Sequence, residues 1–226
     1  MGKNDFLDII EGGLQHSIHK WAHYLPLYHR YFKRFRKTAT PNNKVRLLEI
    51  GVQNGGSLDM WCKYFGKENC ELVGVDIDNS CKALEKDNIK IIIGDQENKE
   101  FLTNEILTLD KFDIIIDDGG HTMNQQIITY EVLFDHVKPG GIFLCEDVHT
   151  SYWQNYGGGL HSPSSFVEYT KKLIDKLNGY HYNGADEFTK TCLGIYYHDS
   201  MVFFEKSPLP IQHPYAKHWH VTQKID

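Results

Sequence analysis

A chain of 226 residues, 41% hydrophobic and 24% charged, is sized for one large α/β domain with its own core, and no stretch approaches the roughly 18 unbroken apolar residues of a membrane span. Met1 to Ile10 carries acids where a signal peptide needs a basic start, and five cysteines without Cys-x-x-Cys spacing support neither a disulfide framework nor a zinc knuckle. A soluble chain with reduced thiols in a cytoplasm is expected, and its net charge of -6 argues against nucleic acid as a partner.

Helical spacing of apolar residues over Phe6 to Ile10 and Trp21 to Phe35 predicts an N-terminal helical cap, residues 1–40. The five basic residues between Arg30 and Lys37 then form its solvated face. From Val45 the pattern becomes short apolar runs separated by helical stretches: Val45 to Ile50, Leu72 to Val75, Ile89 to Ile93, Phe112 to Ile116 and Gly141 to Cys145. Strands alternating with helices imply a parallel sheet. Ile91 to Ile93 and Ile114 to Ile116 show no polar alternation, as expected of strands covered by helices on both faces.

After a helical stretch, Ser165 to Leu177, the runs Leu193 to Tyr197 and Met201 to Glu205 flank a tight connection that suits an antiparallel hairpin. The main domain thus spans residues 41–210, leaving 211–226 as a tail. In that tail His213, His218, Trp219 and His220 fit no standard metal spacing. Tyr156-Gly157-Gly158-Gly159 reads as a mobile loop near the crevice.

Ligands of open α/β sheets bind at the carboxyl ends of the strands, where three groups of residues fall. The first is the Gly-rich turn Glu49-Ile50-Gly51-Val52-Gln53-Asn54-Gly55-Gly56-Ser57, which lacks the third glycine of a dinucleotide fingerprint and so weakens a nicotinamide reading. The second comprises Asp76, 25 residues after Gly51 and near the spacing at which an acid meets ribose hydroxyls, and Asp95, placed to meet an adenine amino group. Strand-to-helix turns and helix caps are the competing readings.

The third group is Asp117-Asp118-Gly119-Gly120-His121 together with Glu146-Asp147. Carboxylates gathered in one crevice would repel each other unless a hard cation joined them. His121 stands close enough to serve as a base, or it caps the following helix. Asp117 braces the loop or orients a ligand, and Glu146 and Asp147 could instead pair with basic residues, although none lies within several positions.

With Leu48-Glu49-Ile50-Gly51, Gly94-Asp95-Gln96, Asp113 to His121, Pro139-Gly140-Gly141, Glu146-Asp147 and Thr150 to Trp153, the chain resembles class I S-adenosylmethionine-dependent methyltransferases. Within that class it is similar to the magnesium-dependent sugar O-methyltransferases of the mycinamicin and macrocin type. The resemblance implies a Rossmann-like, mostly parallel sheet closed by an antiparallel C-terminal hairpin. It implies Asp118, Glu146 and Asp147 as magnesium ligands and His121 as catalytic base. Glu49, Gly51, Asn54, Gly55, Ser57, Asp76, Asp95 and Asp117 would lie on the cofactor side. Gly120 stands where such relatives usually carry serine.

Tyr24, His149, Tyr152 and Trp153, with His161, are candidates to shape an acceptor pocket, since sugars stack on aromatic faces; plain packing is the alternative for the last four. Lys20, Trp21, His23, Tyr24 and Tyr28 are read as a helical lid or an amphipathic cap. The expected function is methylation of a sugar hydroxyl of a glycan, nucleotide sugar or glycosylated metabolite. A catechol-like acceptor and a non-catalytic cofactor-binding partner subunit are the alternatives, and a homo-oligomer is left open.

Overall fold

The computed structural model describes residues 5–211; the histidines read in the tail lie outside them. Seven strands form one sheet in the order β3-β2-β1-β4-β5-β7-β6. They are β1 (Val45–Ile50), β2 (Cys70–Asp76), β3 (Ile89–Ile93), β4 (Phe112–Asp117), β5 (Val137–Cys145), β6 (Cys192–His198) and β7 (Met201–Lys206). β1 to β5 pair in parallel, while β7 runs antiparallel to both β5 and β6. The expected parallel sheet with a terminal hairpin is therefore present, its connection turning through Ser200 at φ 63.

Successive residues of the central strands feed two separate cores. Leu47, Ile114, Ile116, Ile142, Leu144 and Phe203 point to one, whereas Leu48, Ile115, Phe143 and Phe204 point to the other. The first is covered by α1 (Asp5–Glu11), α2 (Tyr24–Thr38) and α3 (Gly56–Phe65). α4 (Lys99–Phe101) with its following π-turn, α5 (Met123–Leu133), α6 (Phe166–Leu177) and the short α7 (Glu187–Thr191) complete the helices. Residues of α5 and α6 fill the second core. With an apolar layer on each side, no strand position gains from a polar residue, and the unbroken isoleucine runs follow.

The N-terminal segment differs from the sequence expectation. Residues 12–23 form neither helix nor strand, and α2 begins at Tyr24, so Lys20, Trp21 and His23 precede the helix that was read as containing them. Pro26 supplies the reason: its ring would clash with the carbonyl four residues upstream, at Ala22, if the helix ran further back, and near the start its missing N–H leaves no bond unmade. The buried face of α2 is aromatic, with Tyr31 stacked on Phe203 at 4.0 Å between centroids. Its basic residues face outward, Arg34 to Glu205 and Arg36 to Asp5.

A cavity at the carboxyl edge and its acid cluster

β1 lies between β2 and β4, so the chain crosses from one side of the sheet to the other at β1, where α/β sheets open a crevice. A cavity of about 410 Å³ occupies that edge. It is lined by the turn after β1 from Gly51 to Asn54, by Asp76 and Asp95, by Asp118 to His121 and by Asp147. The wall opposite is Ser17 to Lys20.

Backbone geometry shapes the cofactor side. Gly51 sits at φ +89, and a Cβ there would stand 2.1 Å from the Asp118 carbonyl oxygen, so only glycine lets the two turns meet. Asp76 accepts the amides of Val52 and Gln53, each at 2.9 Å, on one carboxylate oxygen and that of Asp78 on the other, which ties the turn to the end of β2. Asp95 and Asn54 face the cavity.

Glu49 and Asp117 stand behind this wall rather than in it. Glu49 is fully buried, accepts the Ser57 hydroxyl at 2.8 Å, and is pushed up to about 7 by burial, against the pull of Lys20. Asp117 is held by Gln96 Nε2 at 2.9 Å, and burial drives its carboxyl up to about 7. Gln96 also accepts the Gly120 amide at 2.8 Å, so Asp117 and Gln96 together brace the loop that carries Asp118 and His121. Of the two roles weighed for Asp117, the bracing one matches its position. Gly55, also placed on the cofactor side, lies at φ +83 against the Leu84 side chain, where it turns the chain into α3.

The acid side is built differently. One donor atom each from Asp118, His121 and Asp147 lies within 4.8 Å of the others, and His121 Nε2 is 3.6 Å from Asp147 Oδ2. Both His121 (φ 59) and Asp147 (φ 52) occupy the left-handed region, which costs a non-glycine residue about 1 kcal/mol or more and turns each side chain back into the crevice. Burial lowers the His121 imidazole below its ordinary range, partly opposed by Asp118 and Asp147, and its Nδ1 is buried without a partner. Two hard oxygen donors and an imidazole at this spacing fit a divalent cation.

Glu146 was expected as a third ligand beside these groups. It is fully buried and held by two donors, Tyr28 donating to Oε1 at 2.7 Å and Lys20 Nζ donating to Oε2 at 2.8 Å. Burial raises its carboxyl despite that lysine. The basic partner absent nearby in the sequence thus arrives from 126 residues away. No local signal announced Lys20 in this role; a lysine set among Trp21, Tyr24 and Tyr28 is the only hint.

Tyr24, proposed for the acceptor, is also buried. Its hydroxyl donates to Asp147 at 2.7 Å and fixes that carboxylate instead of offering a ring face. His149, Tyr152 and Trp153 stay at the surface: His149 packs edge-on against Trp153 at 4.6 Å and against Trp21 at 6.3 Å, and the rings of Trp21, Tyr152 and Trp153 are each about half exposed. Trp21 was not singled out for this row. His161 instead faces Glu168 at 3.5 Å. The Gly157 to Gly159 segment, read as a loop near the crevice, is bonded back onto Gln154, Trp153 and Ser151.

Gly120 also has a physical reason, since a Cβ there would lie 2.3 Å from Gln125 Oε1, the atom that accepts the Thr122 amide in the cap of α5. Residues 48–148 match the family model described as a methyltransferase domain. A solved structure, the MycE methyltransferase of mycinamycin biosynthesis in complex with Mg, SAH and mycinamycin VI, superposes with a TM-score of 0.72 at 31% identity over 84% of this chain and 51% of that one. The chain carries a class I methyltransferase domain. Its domain is similar to demethylmacrocin O-methyltransferase of Streptomyces fradiae, 35% identical over 71% of this chain and 40% of that protein. It is also similar to mycinamicin VI 2''-O-methyltransferase of Micromonospora griseorubida, 37% identical over 68% and 39%. The chain therefore spans about two fifths of these relatives and half of the solved neighbour. No helix among the described residues of the methyltransferase domain is long and apolar enough to cross a membrane.

Proposed function

We propose that this chain is an S-adenosylmethionine-dependent, magnesium-dependent O-methyltransferase acting on a sugar hydroxyl. The observation that carries the reading is that one cavity joins the Gly-rich turn, Asp76 and Asp95 to Asp118, His121 and Asp147. A methyl donor held by the first group would present its sulfonium to an acceptor held by the second. The named relatives, a demethylmacrocin O-methyltransferase and a mycinamicin VI 2''-O-methyltransferase, support the same assignment.

In this reading Asp76 meets the ribose hydroxyls, Asp95 the adenine side, and Gly51 and Asn54 the amino-acid end of the donor. Ser57 lines that wall, and Glu49 sets its shape from behind. Asp118 and Asp147, with Glu146 as third carboxylate, would hold the magnesium ion, which when bound orients two vicinal hydroxyls and favours the alkoxide of one. His121 accepts the hydroxyl proton on Nε2, the nitrogen facing Asp147, and its burial keeps it neutral and ready to do so. Tyr24 fixes Asp147 in place, while Trp21, His149, Tyr152 and Trp153 offer ring edges and faces to the acceptor beyond the ion.

The deciding experiment incubates the chain with S-adenosylmethionine, magnesium and a panel of nucleotide sugars, glycosylated macrolides, free glycosides and catechols, and reads products by mass spectrometry. A methylated sugar is expected. Methylated catechols alone would replace the acceptor class, and donor binding without any product would leave a partner subunit.

A further inference from the structure

Lys20 is a buried cation placed among acids. Its side chain is 4% exposed, and Nζ lies 2.5 Å from Asp118 Oδ2, 2.8 Å from Glu146 Oε2 and 3.9 Å from Glu49 Oε1. The last of these oxygens is buried with no hydrogen-bond partner. One ammonium therefore faces three carboxylates, more acid groups than its single charge can balance. The segment that delivers Lys20 is anchored upstream of it: His16 is tied to Asp59 through its amide and its ring, and the Ser17 carbonyl rests against Gly56, where a Cβ would stand 2.2 Å away. Gly12 and Gly13 lie upstream, Gly13 at φ +85 with open space around it. Lys20 itself lines the cavity, so its ammonium has a path to solvent.

We propose that Lys20 is a tethered cation that occupies the divalent-ion position between Asp118 and Glu146, so that ion binding and engagement of Lys20 exclude each other. The inference rests on the magnesium reading above and adds a competitor carried by the chain itself. Nζ takes one oxygen of Asp118 and one of Glu146, the same hard donors a divalent ion would need, so the two cations would compete for them. Release of Lys20 frees the Glu146 Oε2 oxygen that Nζ now takes, so that Glu146 can join Asp118 and Asp147. A site blocked about 99% of the time binds its ion about a hundredfold more weakly than the open site. Because Ser17 to Lys20 also form a wall of the donor cavity, the same movement couples ion binding to donor binding.

The test uses the full chain and Mn²⁺, whose binding is counted by electron paramagnetic resonance, with acetylation of lysines by a water-soluble acylating reagent read by mass spectrometry. Without ion, Lys20 should react at least tenfold more slowly than the exposed Lys99. Through a Mn²⁺ titration its labelling should rise at least tenfold, with the midpoint of ion binding, and Lys20→Met should bind Mn²⁺ at least tenfold more tightly. Lys20 still protected at saturating Mn²⁺ overturns the competition whatever the variant shows, and leaves the metal reading standing. Absence of Mn²⁺ binding to both proteins overturns the two together. If Lys20→Met does not fold, the labelling of the native chain decides alone.

Discussion

The two halves of the carboxyl edge use the left-handed backbone in opposite ways. After β1, two of the three such positions, Gly51 and Gly55, are glycines, and the polar side chain that shapes the turn, Asp76, is fixed by three backbone amides with acceptor capacity left on Oδ1. After β4 and β5 the strained positions are His121 and Asp147 themselves, and around them stand an unpartnered imidazole nitrogen and an excess of carboxylates. The first half is a finished shape into which a ligand fits. The second is a set of charges that a ligand must complete.

The sharpest way to break that contrast is His121→Ala. It removes the proposed base while leaving the glycine turn untouched, so methyl transfer should fall by about 10² to 10⁴ with donor affinity by calorimetry nearly unchanged. Equal loss of both would mean the halves are not separable. Gly51→Ala addresses the other half: with φ +89 and a carbonyl oxygen 2.1 Å from the new Cβ, the turns must part, at about 3 kcal/mol of folding stability in urea melts. Donor binding should be lost with it. Asp147→Gly is the complementary case, because glycine fits φ 52 without strain. The fold should stay within about 1 kcal/mol of the parent, while Mn²⁺ affinity falls at least tenfold. An unstable but ion-competent Asp147→Gly protein would reverse the assignment.

Legibility in the sequence followed the same division. The strands were readable because a sheet covered on both faces leaves long apolar runs, and β1 and β3 were bounded to the residue. Asp76, Asp95, Asp118, His121 and Asp147 were readable because parallel strands deliver whatever follows them to one edge. What could not be read was pairing across the chain. Lys20 to Glu146, Tyr28 to Glu146 and Tyr24 to Asp147 span 126, 118 and 123 residues, and a search for charge partners within a few positions of Glu146 cannot find them. The start of α2 was readable in principle from Pro26, which the aromatic spacing through Trp21 and Tyr24 does not register.

The smallest expected effect compares the two edges of the sheet through pH. Glu49, at the carboxyl edge with Lys20 3.9 Å away, has its carboxyl raised to about 7 by burial. The folded chain therefore takes up a proton there that the unfolded chain, near the ordinary value of about 4.3, does not, and this group's contribution to stability rises as pH falls through 7. His136 sits at the opposite edge, in the turn that enters β5. It is buried with Nε2 unpartnered, and burial lowers its imidazole, with Lys111, Arg46 and Lys206 adding to that and the Leu109 backbone opposing it. Here the unfolded chain takes the proton first, at about pH 6.5, so stability is full above that value and is lost as pH falls toward the folded-state value. Urea melts at pH 7.5 and 6.0 separate the two signs. Relative to the parent, His136→Gln should lose less stability on acidification and Glu49→Gln should gain less. If both variants shift in one direction, the edges do not differ in the way their burial and partners imply.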